Sequence, residues 1–563
     1  MTRLRPITAI FSLAIALGML GALRGPAWTQ DDVAPEETGS FAPVVEEEEG
    51  AAGPPLIPLT LPPVILPGAK PRLAVTANPG PAGKDLPFYE SGQPLDDKLL
   101  AGKLSASLSR PELEKVRFGL HAIDLSTDEP LVEVGGRTML NPASNQKVLT
   151  TAVALLKLGP EYRFATEIRS LAQPTAEGAL KGDLYLVGGG DPWMVVEQVY
   201  RLAAELYAVG LRKIEGDLVV DQSFFDDVYQ GPGWEQDDSN AAYQAPMGAL
   251  SVNFNTIAVY VTPAANGQPP AVGVLPLSPY LKIDNTAVTS EHARSAVIVD
   301  APKDGDKNKL VVTGTIHPKS GRRIFFVKID NPPLFAGWAI HDALKKVGIE
   351  VKGKVVVRKA PESSEVLYKF LSPPLATLIS LVNKYSNNHM AEQILKTVGA
   401  ETRGAPGTWD KGLQTMHEVI EQELAFPANG YVLKNGSGLG DVNQIPPELL
   451  TRMLSRMYHD PQVGPEYMTS MAVAGRDGTL RSNYRDEALR GKLRAKTGTL
   501  EQVIALSGYL LTRSGRMLAV SLVFNDCLGK DRWRLRRIQE EVFALLADWD
   551  PGDLPAEGRK KKE

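Results

Sequence analysis

The chain carries a single cysteine, Cys527, in 563 residues. One thiol excludes an intramolecular disulfide and cannot build a zinc site alone. The seven histidines, His121, His317 and His389 among them, show no His-Glu-x-x-His or related ligand spacing, so no metal is expected. There is no Gly-x-Ser-x-Gly elbow. Gly188-Gly189-Gly190 lacks the Lys-Ser/Thr of a phosphate loop and reads as a turn. Basic excess is also missing: a formal net charge of -5 leaves little to meet phosphates, which argues against a nucleic-acid partner. After Leu23 no run is apolar enough to span a bilayer.

What is present begins at the N-terminus. Arg3 and Arg5 precede an uncharged, mostly apolar run from Pro6 to Leu23, and Gly25 and Ala27 are small residues two apart. A positive start, an apolar stretch and a small-residue site make an export signal, so residues 1–27 are either a cleaved signal peptide or a retained membrane anchor. Either way the bulk of the chain is expected outside the cytoplasm, with membrane association through the N-terminus if the anchor stays. Residues 28–95 are acidic and then proline-rich, with no basic residue before Lys70. Such composition buries little and predicts an extended or disordered tether. The last residues, 551–563, read as a charged, solvated tail.

Between these ends, 43% hydrophobic residues suffice for sizeable cores, and the length predicts two or three domains. Val116–Asp124 and Leu131–Val134 read as strands joined by a turn at Ser126-Thr127-Asp128. Pro142-Ala143-Ser144 opens a helix whose apolar stripe runs from Val148 to Leu156 and stops at Gly159-Pro160. From about 166 to 365 short β-like runs recur, separated by Gly, Pro and Asp, and predict one or two β-rich inserts. Leu375–Val398 then reads as one helix and Pro446–Tyr458 as another. Leu506–Thr512 and Met517–Phe524 read as a hairpin around Ser514-Gly515. Trp533–Trp549 reads as a closing amphipathic helix.

Three short motifs carry chemistry. Ser144-Asn145-Gln146-Lys147 puts a hydroxyl and an amine on one helix face at i, i+3. A serine hydroxyl is a poor nucleophile until a base takes its proton, and a buried lysine of lowered pKa can do so. Lys496-Thr497-Gly498-Thr499 offers positive charge, hydroxyls for a carboxylate, and a glycine that lets a ligand approach the backbone. A Ser-x-Asn occurs twice, as Ser386-Asn387-Asn388 and Ser251-Val252-Asn253. Ser386 is preferred, because a polar triplet interrupts a helix otherwise suited to a core. Ser-x-x-Lys, Ser-x-Asn and Lys-Thr-Gly, in that order, are the set of penicillin-binding proteins and class A β-lactamases.

The chain resembles the D-Ala-D-Ala carboxypeptidase/endopeptidase family, the low-molecular-mass class C penicillin-binding proteins, over residues 100 to 547. Beyond the triad, Ser386-Asn387-Asn388-His389-Met390-Ala391-Glu392-Gln393-Ile394-Leu395 looks like a family helix. Gly182-Asp183-Leu184-Tyr185-Leu186 with Gly190-Asp191-Pro192, and Gly475-x-Asp477-Gly478-Thr479-Leu480, resemble further signatures. The long gap between Ser144 and Ser386 also fits, since this family inserts domains there.

The resemblance implies an α/β (α+β) multi-domain chain. Its penicillin-binding transpeptidase-like domain, an antiparallel sheet flanked by helices, would be formed by 96–165 and 366–550 and interrupted by the β-rich 166–365. It implies a cofactor-free acyl-enzyme mechanism on peptidoglycan stem peptides, with β-lactams as covalent inhibitors. Ser144 would be the nucleophile, Lys147 its base, Ser386 with Lys496 the proton relay, and Asn388 the residue that orients the peptide. Thr497, Gly498 and Thr499 would bind the terminal carboxylate, and the N–H groups of Ser144 and Thr499 would form the oxyanion hole. One departure stands out. The family's Asp-Gly-Ser-Gly-Leu-Ser-Arg reads here Asn435-Gly436-Ser437-Gly438-Leu439-Gly440-Asp441, with an acid where a cation is usual. Two other readings exist, a catalytically inactive wall-binding scaffold on the same fold and a β-lactamase. The balance of carboxypeptidase and endopeptidase action and the oligomeric state are not legible in the sequence.

Overall fold

The computed structural model describes residues 69–79, 87–234, 239–292 and 294–552. The expected export segment, much of the expected tether, and the tail beyond Gly552 lie outside them. Among the described residues, no helix is long and apolar enough to cross a membrane.

The central sheet is antiparallel and six-stranded. Its order is Ala472–Val473, Leu493–Leu500, Val503–Leu511, Met517–Asn525, Arg117–Asp124, Glu129–Val134. The expected hairpin is there, with Gly515 in the left-handed region at φ 82°. Strand periodicity of two sorts the side chains to two buried faces. Leu506, Leu510, Val520 and Leu522 meet the helices Asp97–Leu108 and Arg532–Ala547 in one core. On the opposite face Tyr509 donates to the carbonyl of Leu454, on the helix Pro447–Tyr458. Part of the span read as a tether belongs to this body. The N–H groups of Arg72 and Leu73 bond to the carbonyls of Pro130 and Leu131, and Leu73 is buried. Leu73, Val75 and Phe88 supply the apolar contacts that hold it there.

The helix Gln146–Leu158 runs through the middle of the helical layer. Every residue from Gln146 to Leu155 is buried, polar ones included, so the helix has no solvated face. Ser144 sits just before it, in a single tight turn, Ala143–Asn145.

The expected helix Leu375–Val398 is two helices, Leu375–Tyr385 and Asn388–Arg403. Ser386 breaks them in the left-handed conformation (φ 60°, ψ 37°), and Asn387 caps the second by accepting from the Met390 N–H at 3.0 Å. The apolar periodicity carries through the break, which hides it.

The stretch between Ala165–Ser170 and Glu365–Leu371 is β-rich, as expected, and also holds the helices Val196–Ala208 and Pro332–Val347. Their i, i+3, i+4 apolar spacing is masked in the sequence by the surrounding Gly, Pro and Asp turns. These helices join the strand residues Leu184, Leu186, Leu218 and Val220 in one core. The sheet order there is Val355–Val357, Leu218–Asp221, Leu184–Val187, Ala165–Ser170, Glu365–Leu371. Three further sheets complete the stretch: a five-stranded one built on Lys307–Ile316, a three-stranded one built on Thr256–Thr262, and a three-stranded one of short strands around Lys213–Ile214.

Candidate active site

Backbone fit explains why the turn, the helix break and the sheet edge meet. At Gly498 an added Cβ would lie 2.6 Å from the Pro142 carbonyl oxygen and 3.2 Å from the Cβ of Ala143. Only a residue without a side chain lets this strand pass so close to the turn that carries Ser144. Gly438 does the same from the other side: its Cβ would lie within van der Waals radii of the Ala143 carbonyl, and its φ is 76°. Ala143 itself takes φ 46°. The turn that carries Ser144 is thus wedged between a strand and the loop Asn435–Gly440.

The amine of Lys147 is the hub. Its Nζ lies 3.1 Å from Ser144 Oγ, 2.7 Å from Asn388 Oδ1 and 2.6 Å from the Ser437 carbonyl. Lys147 is fully buried. Burial pushes its pKa down to about 7, with the carboxylate of Glu392 pulling the other way. The Asn388 amide is held in turn by its Nδ2, which donates to the Tyr243 carbonyl at 3.1 Å.

A second pair sits on the strand side. Lys496 Nζ donates to Ser386 Oγ at 2.8 Å and to the Thr497 carbonyl at 2.7 Å. Lys496 is fully buried, and burial, then the neighbouring Lys147, hold its pKa well below the usual lysine value. Thr497 Oγ1 donates to Thr479 Oγ1 at 2.9 Å, which ties the Gly475–Leu480 signature to the Lys-Thr-Gly strand. Thr499 is exposed at the strand's end.

All eight residues singled out in the sequence therefore lie on three adjoining elements. Ser144, Lys147 and Asn388 are in direct contact, as are Ser386 and Lys496. The rival Ser251 is not part of this. Its hydroxyl donates to the Gly248 carbonyl at 2.9 Å and accepts from Asn255 Nδ2 at 2.9 Å, inside a buried turn.

The D-Ala-D-Ala carboxypeptidase 3 (S13) family model matches residues 100–547. The chain belongs to this family. It is a serine-type D-Ala-D-Ala carboxypeptidase. A D-alanyl-D-alanine carboxypeptidase of Actinomadura sp. (strain R39) is 35% identical over 519 residues, 90% of this chain and 92% of that one. The crystal structure of penicillin binding protein 4 from Haemophilus influenzae has a TM-score of 0.69 at 25% identity, covering 79% of this chain and 99% of that one. The same Haemophilus protein has been solved with a β-lactam bound, with a TM-score of 0.64 at 25% identity and coverage of 78% and 97%.

Sequence reasoning passed over three parts of the carboxypeptidase's cleft. One is the Ser437 carbonyl, a backbone group that no side-chain motif reveals. Another is Glu392, quoted within a signature but given no role. The third is the contact of Asp441, which accepts from Asn141 Nδ2 at 2.7 Å. Asn141 Oδ1 accepts in turn from the Ala143 N–H at 2.8 Å. The acid at this position is thus linked, through Asn141, to the turn that carries Ser144. Two glycines flanking Ser437 were the available signal for a loop pressed against something.

Proposed function

We propose that Ser144 is the acylating nucleophile and Lys147 its base, in an exported enzyme that trims peptidoglycan stem peptides. One observation carries this reading: the set of partners around the Lys147 amine. A neutral amine has two N–H donors and one lone pair. Asn388 Oδ1 and the Ser437 carbonyl can only accept, so they take the two N–H groups. The lone pair is left for Ser144, the one partner of the three with a proton to give. Burial lowers its pKa to about 7, so the neutral amine is within reach at neutral pH.

The Ser144 oxygen attacks the carbonyl of the penultimate D-Ala while its proton passes to Lys147. The C–N bond then breaks. Ser386, hydrogen-bonded to Lys496, relays a proton to the leaving amine. Asn388 orients the peptide, and Thr497, Gly498 and Thr499 receive the terminal carboxylate. The N–H groups of Ser144 and Thr499 meet the developing oxyanion, where one lost donor typically costs about 3 kcal/mol of barrier. Water releases the acyl-enzyme and restores the serine. An amino acid leaves in carboxypeptidase action and a second stem peptide in endopeptidase action; the same bond chemistry serves both. β-Lactams acylate Ser144 in place of the peptide.

The segment 1–27 supports export as signal or anchor, and the family membership supports a site of action in the cell wall. The decisive test is Ser144→Ala. Labelling by a fluorescent penicillin and release of D-Ala from a pentapeptide should both vanish. Normal labelling of that variant would overturn the assignment.

A further inference from the structure

Glu392 sits on the helix Asn388–Arg403, one turn beyond Asn388, and is fully buried. A buried carboxylate is costly unless it is bonded. Here one oxygen accepts from the Gly436 N–H and from Trp409 Nε1, each at 2.8 Å, and the other accepts from the Ser437 N–H at 2.8 Å. The two backbone donors belong to the loop whose Ser437 carbonyl takes an N–H of Lys147 at 2.6 Å. The same loop is tied to the base's helix by Thr150 Oγ1, which donates to the Gly436 carbonyl at 2.7 Å.

We propose that Glu392 is a positioning residue for the general base: it locks the Gly436–Ser437 backbone so that the Ser437 carbonyl aims the Lys147 lone pair at Ser144. The proposal rests on Lys147 being the base. The carboxylate does its work through two covalently linked peptide units and never touches the reacting atoms.

It has a second, electrostatic consequence. The charged groups that face Lys147 are Glu392 from the helix Asn388–Arg403 and Lys496 from the strand Leu493–Leu500. Beyond Glu392 stands a third buried lysine, Lys396, which donates to Asp226 Oδ1 at 2.6 Å and lies 4.2 Å from the Trp409 ring centre. Lys384, at the end of the helix Leu375–Tyr385, is paired with Asp477. In the helix Pro447–Tyr458, Glu448 and Arg452 close on each other at 2.6 Å. The helix Trp409–Glu423 turns Met416 toward Gln146, and the helix Gly464–Ser470 turns the Tyr467 hydroxyl to the Val148 carbonyl. Glu392 is therefore the negative charge that opposes desolvation of the base.

The experiment is the pH dependence of penicillin acylation in wild type and Glu392→Gln, on full-length protein. The neutral amide keeps the size, loses the charge, and presents an NH₂ where a backbone N–H needs an acceptor. Removing the charge leaves the amine easier to deprotonate, so the acid limb should move to lower pH. The plateau rate should fall about tenfold as the carbonyl loses its anchor. Glu392→Asp keeps the charge and loses the reach; its acid limb should stay with wild type while its plateau falls. A Glu392→Gln protein that melts like wild type, with limb and plateau both unchanged, would overturn the proposal. If the Gln variant does not fold, the Asp variant decides: a wild-type plateau refutes positioning. Failure here remains distinct from failure of the base assignment, which shows as undiminished acylation in Lys147→Ala.

Discussion

The cleft and the inserted sheets spend buried polarity in opposite ways. Around Ser144 the interior holds Lys147, Lys496, Lys396 and Glu392, all with no exposed surface, and each is met by named acceptors or donors. In the sheets built on Thr256–Thr262 and Lys307–Ile316 the imbalance runs the other way, with apolar side chains left in water: Ile298 is 64% exposed and Ile283 45%. Charge buried without a partner costs far more than a lone apolar side chain left in solvent. The cleft is thus the region where a small change has no alternative arrangement to fall back on. The outer sheets have many.

That contrast can be broken at its strongest point first. Lys147→Ala removes the proposed base and leaves Asn388 Oδ1 and the Ser437 carbonyl without their donor. Acylation by penicillin, followed by stopped-flow fluorescence, should fall by roughly two decades or more. A near wild-type rate would end the argument for a lysine base. A smaller loss is expected from Gly498→Ala. Its new Cβ must push the strand off the Pro142 carbonyl, 2.6 Å away, and carry Thr497 and Thr499 with it. Misplacing binding groups by a fraction of an ångström should cost about tenfold in kcat/KM for D-Ala release. An unchanged value would mean that the strand's close approach has no bearing on the reaction. The smallest effect belongs to the other region. Ile298→Thr should alter stability by less than about 0.5 kcal/mol in a denaturant melt and leave acylation untouched. A large loss would show that this exposed isoleucine is covered by something in the working protein.

The same contrast marks what was legible in the sequence. Ser144 and Lys147 were readable because i, i+3 geometry is local, and Lys496-Thr497-Gly498 because its composition is rare. The ordered set of motifs, with the family resemblance, gave the antiparallel sheet flanked by helices. Ser386 can be singled out by its polar triplet, but not its setting: a left-handed serine between two helices leaves no trace in apolar periodicity, which continues from Leu378 through Ile394. Glu392 and the Ser437 carbonyl were beyond motif reasoning, because their importance lies in whom they touch after folding. The helices Val196–Ala208 and Pro332–Val347 were readable and missed, since the strands around them set the texture of the whole stretch.

One pairing described above governs how the molecule comes together. Ala165–Ser170 and Glu365–Leu371 lie side by side, antiparallel, so the chain leaves and re-enters at neighbouring points about 4.8 Å apart. Everything from Leu171 to Ser364 is topologically a closed eyelet. During synthesis Ser144 and Lys147 emerge long before Ser386 and Lys496, and closing so long a loop carries an entropic cost. Once the eyelet is closed, that separation is a single strand spacing, and the helices that follow start beside the partner they pack on.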